Sequence, residues 1–503
     1  MTNVLEYLEK TVNEMPDKIC YLDDKSEMSF RRVWNEARGI GTYLAHLGIY
    51  KKPVAVFMKK GPREVTAFLG AVYAGCYYIP MDVEMPLFRI ELIFKLLGDC
   101  FIICDEASFP VLEKLDRGAS CILYEMAAGT ESDDRLLAGI RERQIDTDAV
   151  YVLFTSGSTG IPKGVIACHR SLIDYIDRLG EILKADKDTV FGNQTPLYTD
   201  ACLKDLYPTL KYGATTVFIP KPLFSFPVRL ISFMNEKKVN TICWVASALS
   251  IVSSLGTFES VIPKYLHTIA SGSEIFPVRQ YLIWKNTLPD ARFNNLYGPT
   301  ECTGCSCYYE IERDFEPDEV IPIGKHFQNT DVFLLSENNK PTPRGELGEI
   351  CIRGTGVALG YYKNPEKTAE AFVQNPLNDC YPELIYRTGD LGRFNDRDEL
   401  VYVSRKDFQI KHMGYRIELG EIEAVCGAFD GISLCCALYN KENKKILLYY
   451  TGSVDKNEVL KYLKSKLPRY MLPSELIHLS EMPFTLNGKI DRKGLAEESR
   501  TTV

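Results

Sequence analysis

The sequence predicts a large N-terminal domain of α/β layers with a small β-barrel-like part, followed by a small C-terminal α+β domain. Across residues 50–300, short apolar runs alternate with helical patterns, which is typical of a largely parallel sheet covered by helices. Across 330–405 the pattern changes to short strands separated by Gly and Asn turns. From Ile417 onward, helix patterns alternate with strand-like stretches, which indicates a separate α+β unit.

Individual elements of this fold are visible in the apolar patterning. The N-terminal stretch MTNVLEYLEKTVNEM has the charge pattern of an amphipathic helix, and PREVTAFLGAVYAGC is a second predicted helix. The predicted strands of the α/β layers are PVAVFM (53–58), YYIPMDV (77–83), VYVLF (150–154), TTVFIP (215–220), VNTICW (239–244) and LHTIASG (266–272). The predicted C-terminal elements are the helices ELGEIEAVCGAF and NEVLKYLKSKL and the strands LCCALYN and ILLYYTG.

Length and composition narrow the class of protein. A chain of 503 residues, 46% of them apolar and 25% charged, exceeds one hydrophobic core and implies at least two domains. The net charge of -8 argues against nucleic-acid binding, and no 18-residue apolar run predicts membrane insertion. The sixteen cysteines are scattered, which favours reduced thiols and a cytoplasmic location. Small molecules or another protein are therefore the expected partners.

One loop carries an unusual cluster of Ser, Thr and Gly, in the stretch YVLFTSGSTGIPKGV (151–165). Hydroxyls, flexible glycines and backbone N–H groups can close around an anion, and Lys163 adds a positive charge. The loop is not a Walker motif, and Ser156 stands where a nucleophile elbow needs Gly. The residues themselves leave two interpretations open, a flexible surface turn or a phosphate loop.

The loop TSGSTGIPKG resembles the phosphate-loop signature of the adenylate-forming (ANL) superfamily, which includes amino-acid adenylation domains and acyl-CoA synthetases. Further motifs resemble those of the same superfamily, in the same order, over nearly the whole chain. They are AVYAGCYYIPMDVEMPLFRI (71–90), LYGPTE (296–301), GELGEICIRGTGVALGYY (345–362), YRTGD (386–390), KHMGYRIELGEIE (411–423), LPRYMLP (467–473) and NGKIDRK (487–493).

This resemblance implies a two-step reaction that uses ATP and Mg²⁺. A carboxylate attacks the α-phosphate of ATP to give an acyl-adenylate, and a thiol then captures the acyl group. Glu301 would hold Mg²⁺, Tyr297 would stack on adenine, and Asp390 would accept hydrogen bonds from the ribose hydroxyls. The implied catalytic residues are Lys163, Glu301 and Lys489. The implied ATP/AMP-binding residues are Thr155, Ser156, Gly157, Ser158, Thr159, Gly160, Tyr297, Gly298, Thr300, Asp390 and Arg405.

The resemblance also implies that the C-terminal domain is mobile. It predicts a core over residues 1–405 and a mobile subdomain over 406–503, with the hinge at Asp407. Lys489 would reach the reacting groups during adenylation and withdraw before thiolation. Gly414 would then line the path of the pantetheine arm, where a side chain would obstruct it. The family usually has Gly where this chain has Ser404.

The segment TPLYTDACLKDLYPTL bears on the substrate. Asp200 occupies the position that in amino-acid-activating members pairs with the α-ammonium, which predicts an amino-acid substrate. The rest of the pocket implied by the resemblance is Ala201, Lys204, Ser247, Ile269, Ser271, Leu296, Gly304 and Cys305. D-Alanine:D-alanyl-carrier-protein ligases usually have an apolar residue at Lys204 and a Cys at Ser271, so the substrate stays open. Lys204 pairs with Asp200, points to solvent, or binds a polar group of the substrate, and the sequence leaves these alternatives open.

The predicted function is ATP-dependent activation of an amino acid and its transfer to the phosphopantetheine thiol of a separate carrier protein. Both D-alanine ligases and stand-alone nonribosomal peptide adenylation domains have this activity. An acyl-CoA synthetase and an inactive nucleotide-binding module are the alternatives. His169 is equally compatible with packing and with catalysis, and the cysteines of CTGCSC (302–307) are expected to be core or pocket thiols rather than zinc ligands.

Overall fold

Parallel strands flanked by helices make up most of the chain in a computed structural model, which describes residues 1–157, 161–317, 319–484 and 490–501. The chain divides into two compact units. The larger comprises Met1–Val83, Asp99–Leu153 and Gly164–Lys406, and the smaller comprises Glu84–Gly98, Phe154–Lys163 and Asp407–Val503. The domain boundary that the resemblance implies, at residue 405, stays a prediction.

The helices and strands are numbered in chain order. The helices of the described residues are α1 Leu5–Glu14, α2 Phe30–His46, α3 Pro62–Tyr73, α4 Leu87–Leu97, α5 Phe109–Lys114, α6 Tyr124–Ala128, α7 Asp134–Arg141, α8 His169–Leu183, α9 Leu203–Tyr212, α10 Pro227–Glu236, α11 Ala246–Ser254, α12 Thr257–Ser260, α13 Val278–Thr287, α14 Pro365–Ala371, α15 Leu419–Gly427, α16 Lys456–Lys466 and α17 Arg492–Thr501. The strands of the same part of the chain are β1 Ile19–Leu22, β2 Glu27–Ser29, β3 Pro53–Met58, β4 Tyr77–Asp82, β5 Phe101–Cys104, β6 Cys121–Leu123, β7 Ala149–Thr155, β8 Lys163–Cys168, β9 Val190–Asn193, β10 Thr215–Phe218, β11 Thr241–Val245, β12 Thr268–Gly272, β13 Arg292–Tyr297, β14 Cys307–Glu310, β15 Lys325–His326, β16 Thr330–Leu335, β17 Gly348–Gly354, β18 Gly360–Tyr361, β19 Phe372–Gln374, β20 Leu384–Phe394, β21 Leu400–Arg405, β22 Gln409–His412, β23 Tyr415–Glu418, β24 Ile432–Asn440, β25 Lys445–Gly452 and β26 Glu475–His478.

Two layered sheets form the framework of the larger unit. The first has the strand order β15-β14-β13-β12-β11-β9-β10-β1-β2, and the second has the order β18-β8-β7-β4-β3-β5-β6. The pairs from β9 to β13 and from β3 to β6 are parallel, whereas antiparallel pairs lie at the edges. Every residue of β3 and of β11 is buried. Continuous burial is what strands covered by helices on both faces require.

Close helix packing supports the second sheet. Helices α2 and α3 pack closely at two glycines. Gly41 of α2 lies against α3, and Gly70 of α3 lies against α2. A Cβ at Gly70 would lie 2.4 Å from Cγ2 of Ile40, and one at Gly41 would lie 2.5 Å from Cβ of Tyr73. No larger residue fits at these two positions without moving a helix, so the glycines set the distance between the helices.

The β-barrel-like part of the larger unit is an antiparallel sheet. Its strand order is β16-β17-β20-β19, and β21 pairs with the far half of β20. The stretch GRFNDRDELVYVS (392–404) forms the end of β20, the turn and β21, with Asp398 in the left-handed region at φ 61°. This part carries two of the predicted nucleotide-binding residues, Asp390 and Arg405.

The smaller unit has its own core. Strands β24, β25 and β26 form one sheet, and α15 and α16 pack on it through Ile422, Val459 and Leu463. Within the same unit the Arg89 guanidinium of α4 donates to the Glu421 carboxylate of α15 at 2.6 Å, and both side chains are buried. A buried ion pair of this kind fixes the orientation of two helices, because either charge alone would be costly.

The fold class predicted from the sequence is confirmed. The pattern PVAVFM is β3 residue for residue, the predicted strands at 77–83 and 215–220 contain β4 and β10, and the predicted strand at 239–244 overlaps β11. The N-terminal amphipathic pattern is α1, and the C-terminal patterns are α15, β24, β25 and α16 in the predicted order. None of the helices within the described ranges has the length and apolar character needed to cross a bilayer. The described cysteines are free thiols.

His169, whose role the sequence left open, anchors the N-terminal segment. Its ring is fully buried, the backbone N–H of Val4 donates to Nδ1 at 3.3 Å, and the Asn3 amide lies 3.5 Å from Nε2. Burial, with a smaller contribution from the nearby Arg141 guanidinium, lowers the pKa of His169 from 6.5 to about 4. The imidazole is therefore neutral in the folded protein at neutral pH.

This histidine should make stability depend on pH. Because the unfolded chain binds a proton below pH 6.5 and the folded chain does so only near pH 4, stability is full above pH 6.5 and falls as the pH decreases between these values. At pH 5 the expected loss is about 2 kcal/mol relative to pH 7. Urea unfolding at pH 7 and pH 5 gives the loss of unfolding free energy for wild type and for His169→Gln. The contribution of His169 is the difference between these two losses. The variant should be less stable at pH 7 but less sensitive to acid.

An exposed histidine provides the control for that experiment. His46 ends α2 on the surface, so His46→Gln should keep the acid sensitivity of wild type. An equal acid sensitivity in wild type and His169→Gln would contradict the assignment.

Candidate active site

A buried carboxylate lies at the centre of the predicted nucleotide site. Asp390 accepts a hydrogen bond from the Tyr297 hydroxyl at Oδ2 and one from the Arg405 guanidinium at Oδ1, both at 2.6 Å. Its side chain is 4% exposed and that of Arg405 is 11% exposed. Burial and the Asp390 charge raise the pKa of Tyr297 well above its ordinary value, so the phenol keeps the proton that it donates. Each carboxylate oxygen retains a lone pair for a further donor.

Strand register brings these three residues together. Tyr297 is the last residue of β13, and Asp390 pairs directly with Arg405 where β20 meets β21. The backbone N–H of Asp390 donates to the Thr388 hydroxyl at 2.9 Å, which fixes the carboxylate-bearing residue within β20. Residues far apart in the chain thus meet because the end of one sheet lies against the antiparallel part.

The turn after β13 places Glu301. A 3₁₀ turn over Thr300–Cys302 follows Pro299, and the Glu301 side chain is fully buried. Its carboxylate accepts a hydrogen bond from the Tyr361 hydroxyl at 2.7 Å, and its backbone carbonyl accepts one from the N–H of Ala358. Tyr361 was missed by the sequence analysis as a functional residue, although it lies in the quoted motif GTGVALGYY.

Gly298 belongs to the same turn and has a steric reason to be glycine. A Cβ there would lie 2.2 Å from the carbonyl oxygen of Gly304 and 2.6 Å from Cα of Cys305. The backbone of 298 therefore packs directly on the backbone of 304–306, and the Ser306 N–H donates to the Tyr297 carbonyl at 2.7 Å. This contact links the predicted nucleotide residues to the predicted amino-acid pocket.

The donor set around Glu301 fits Mg²⁺ better than a metal held by protein alone. Within the described residues no group of three or more His, Cys, Asp or Glu side chains is arranged to hold a metal ion. Mg²⁺ is commonly bound by one or two carboxylates, with phosphate oxygens and water completing its shell. A single buried carboxylate at Glu301 meets that requirement when a nucleotide supplies the remaining oxygens.

The predicted amino-acid pocket forms around Lys204. A 3₁₀ turn over Asp200–Cys202 leads into α9, and Lys204 lies in the first turn of that helix with 5% of its surface exposed. Its Nζ lies 3.1 Å from where a Cβ of Gly272 would be, beside Leu296 of the neighbouring strand. The side chains of Cys305, Cys243 and Asp200 are near enough to influence its charge.

Two predicted pocket residues lie on the other face of β12. Ile269 and Ser271 alternate with Ala270 and Gly272, and only the latter pair shares the face of Lys204. Ile269 packs in the core formed with α11 and α13, and the Ser271 hydroxyl donates to Oδ1 of Asn295 at 3.2 Å. The structure therefore does not bring Ile269 and Ser271 to Lys204; it brings Ala270 and Gly272 there, which the sequence analysis missed.

The remaining predicted pocket residues are Ala201, Ser247, Gly304 and Cys305. Gly304 has φ +100°, and a Cβ there would lie 2.8 Å from the Tyr175 ring, whose hydroxyl is 3.6 Å from the Cys305 sulfur. Ala201 is buried. Ser247 is in the first turn of α11, where its N–H donates to the Glu274 carboxylate at 2.8 Å. Tyr175 and Cys243 are pocket candidates that no sequence motif indicated.

In the smaller unit, the described part of the predicted phosphate loop is well bonded. The Thr155 hydroxyl donates to the Lys163 carbonyl at 3.5 Å, and the Ser156 hydroxyl donates to the Arg416 carbonyl at 2.7 Å. A Cβ at Gly157 would lie 2.0 Å from the Ile161 carbonyl oxygen. Lys163 begins β8. Ser158, Thr159 and Gly160 lie outside the described residues.

The predicted hinge and pantetheine residues also belong to the smaller unit. Asp407 is exposed, and its carboxylate accepts the N–H of Gln409 at 3.1 Å. Met413 and Gly414 form the two-residue turn between β22 and β23, with φ angles of 51° and 81°. Two positive φ angles are typical of a tight hairpin turn, which gives Gly414 a conformational reason to be glycine. Lys489 lies outside the described residues.

Comparisons with known proteins agree with the motifs. A family model described as AMP-binding enzyme matches residues 8–362. The dimodular nonribosomal peptide synthase of Bacillus subtilis is 30% identical over 512 residues, which cover 100% of this chain and 21% of that protein. This chain spans less than half the length of the curated relatives that it matches, from 6% to 45%.

Two solved structures share the fold. Holo-PA1221, an NRPS protein containing adenylation and PCP domains, has a TM-score of 0.83 at 23% identity, covering 99% of this chain and 84% of that one. The o-succinylbenzoate CoA synthetase MenE from Bacillus subtilis has a TM-score of 0.83 at 18% identity, covering 99% and 98%. By its family match, the chain belongs to the AMP-binding enzymes, the adenylate-forming superfamily that its motifs resemble.

Proposed function

We propose that this protein activates an amino acid with ATP as an aminoacyl-adenylate and transfers it to the phosphopantetheine thiol of a carrier protein. The observation that carries the nucleotide half is the buried Asp390 carboxylate between Tyr297 and Arg405, in a chain of the AMP-binding family. A carboxylate held this way accepts hydrogen bonds from two neighbouring hydroxyls, as a ribose presents.

Charge stabilisation accounts for the chemistry of the first step. Negative charge builds on the α-phosphate and the departing pyrophosphate, so fixed cations and N–H donors supply most of the catalysis. Lys163, Lys489 and the loop 155–160 are the proposed donors. Glu301 is the proposed Mg²⁺ ligand, and the bound ion would neutralise charge on the phosphates. The Tyr361 hydroxyl holds the Glu301 carboxylate in one orientation.

Asp200 supports the amino-acid half of the proposal. It begins the 3₁₀ turn before α9, where a carboxylate can pair with an α-ammonium group. A substrate without that group would leave the carboxylate without its cation, and sites of this kind reject such analogues strongly. A second candidate, an acid–CoA ligase, is supported by the likeness of fold to MenE. Thioester formation on free CoA with acids that lack an amine would establish that function instead.

The ribose role of Asp390 predicts a selective effect on ATP. Asp390→Asn keeps the shape but weakens the acceptor, so KM for ATP should rise by roughly tenfold while KM for the amino acid changes little. Pyrophosphate exchange at varied ATP measures it. An unchanged KM for ATP would count against the ribose contact.

A second Tyr–carboxylate–Arg group in the same unit provides a matched control. Glu399 accepts from the Tyr309 hydroxyl at 2.7 Å and lies 3.7 Å from the Arg313 guanidinium. Glu399→Gln should lower the free energy of unfolding by about as much as Asp390→Asn does, without changing KM for ATP. A rise in KM for ATP in both variants would show that the effect is structural.

Lys489 should matter for only one of the two steps. Lys489→Ala removes a cation from the proposed adenylation arrangement, which costs on the order of a hundredfold in exchange rate. Thiolation from preformed aminoacyl-adenylate should stay within a few-fold of wild type, since the proposed role ends before the thiol attacks. Single-turnover assays of each half measure the split, and an equal loss in both would refute it.

Asp200→Ala should abolish the preference for an α-amino group. Amino acids should lose most of their kcat/KM while the matching des-amino acids lose little, because only the former use the carboxylate. A panel of amino/des-amino pairs in an adenylation assay measures the ratio. If both members of each pair fall in parallel, the role of Asp200 is structural.

A further inference from the structure

Lys204 is a buried cation in the predicted amino-acid pocket. It lies in the first turn of α9, and its Nζ lies beside Gly272 on β12 and Leu296 on β13, at the carboxyl ends of these parallel strands. This edge of a parallel sheet is where α/β proteins bind their ligands. Glycine at 272 leaves room for the ammonium group, because a Cβ there would lie only 3.1 Å from Nζ.

The protein itself leaves this ammonium group without an acceptor. Among the described residues, no side-chain or backbone oxygen forms a hydrogen bond or ion pair with Nζ of Lys204. Asp200 is therefore not its ion-pair partner, and Asp205, the next residue along, accepts instead from the Asn193 amide at 2.7 Å. A buried ammonium group without an acceptor is costly. A charged lysine at this position is therefore explained by a ligand that supplies the acceptor.

The charge on Lys204 persists at neutral pH. Burial acts to lower its pKa, but the nearby Cys305, Cys243, Asp200 and Asp205 groups together raise it above the ordinary value. Lys204 therefore carries a positive charge that no ion pair within the described residues neutralises.

We propose that the amino acid activated by this enzyme carries a carboxylate on its side chain, and that Lys204 binds it. This inference rests on the proposed function and adds the substrate class. Asp200 would take the α-ammonium group, and Lys204, at the other end of the pocket, would take the side-chain carboxylate. An apolar side chain such as that of alanine would leave the ammonium group buried and unpaired.

The test compares wild type with Lys204→Met, which removes the charge and keeps the length of the side chain. Pyrophosphate exchange is measured with both enantiomers of aspartate, glutamate, asparagine, glutamine and alanine. Wild type should prefer one acidic amino acid over its neutral amide by about a hundredfold in kcat/KM. Lys204→Met should lose that preference, with the amide falling much less than the acid.

A lysine on the same helix serves as the control. Lys211 lies two turns further along α9 and pairs with Asp177 at 2.6 Å, so Lys211→Met should keep the wild-type preference. Should Lys204→Met fail to fold, the acid-to-amide ratio of wild type still decides. A wild-type preference for alanine or an amide overturns the inference while leaving the proposed function intact. Exchange with none of these five amino acids also overturns the inference, whereas exchange only with acids that lack an amine would reject the proposed function itself.

Discussion

A buried carboxylate at Asp390 constrains how the larger unit is assembled. A charge with 4% of its side chain exposed needs donors on both oxygens, and it finds them in Tyr297 at the end of β13 and Arg405 at the end of β21. These strands belong to different sheets, so meeting this one requirement fixes the end of the parallel sheet against the antiparallel part. The nucleotide residues are thereby positioned before any ligand binds.

Backbone contacts connect the predicted nucleotide residues to the predicted amino-acid pocket. Tyr297 accepts the Ser306 N–H, and Gly298 packs on the backbone of Gly304 and Cys305. Cys305 in turn lies beside Lys204 and Tyr175. A side chain at Gly298 would have to displace main-chain atoms rather than a flexible side chain, so this position tolerates no larger residue without a backbone shift. The backbone contact thus keeps the two halves of the site at a constant separation.

The sequence predicted the layers, most strands and the order of the motifs. Apolar periodicity and motif order are properties of the sequence itself, so they can be identified without any tertiary contact. It did not predict which face of β12 lines the pocket. A strand's side chains alternate, so a register error of one residue exchanges Ala270 and Gly272 for Ile269 and Ser271. Tyr175, Cys243 and Tyr361 were also beyond reach, because only the fold brings them to Cys305, Lys204 and Glu301.

Lys204 and Asp205 are neighbouring charges on α9 with different surroundings. Asp205 accepts from the Asn193 amide through Oδ2, and Lys60 donates to the backbone carbonyls of Asn193 and Gln194. Burial raises the pKa of Asp205 to about 7 and lowers that of Lys60 to about 8. These two groups lie at the end of β9 and hold the chain that leads to Asp200. Asp205 therefore gives one oxygen to that support, while its Oδ1 is buried without a hydrogen-bond partner among the described residues. It acts on Lys204 through its charge and not through an ion pair, so in the proposed function the hydrogen-bond acceptor for Lys204 comes from the substrate.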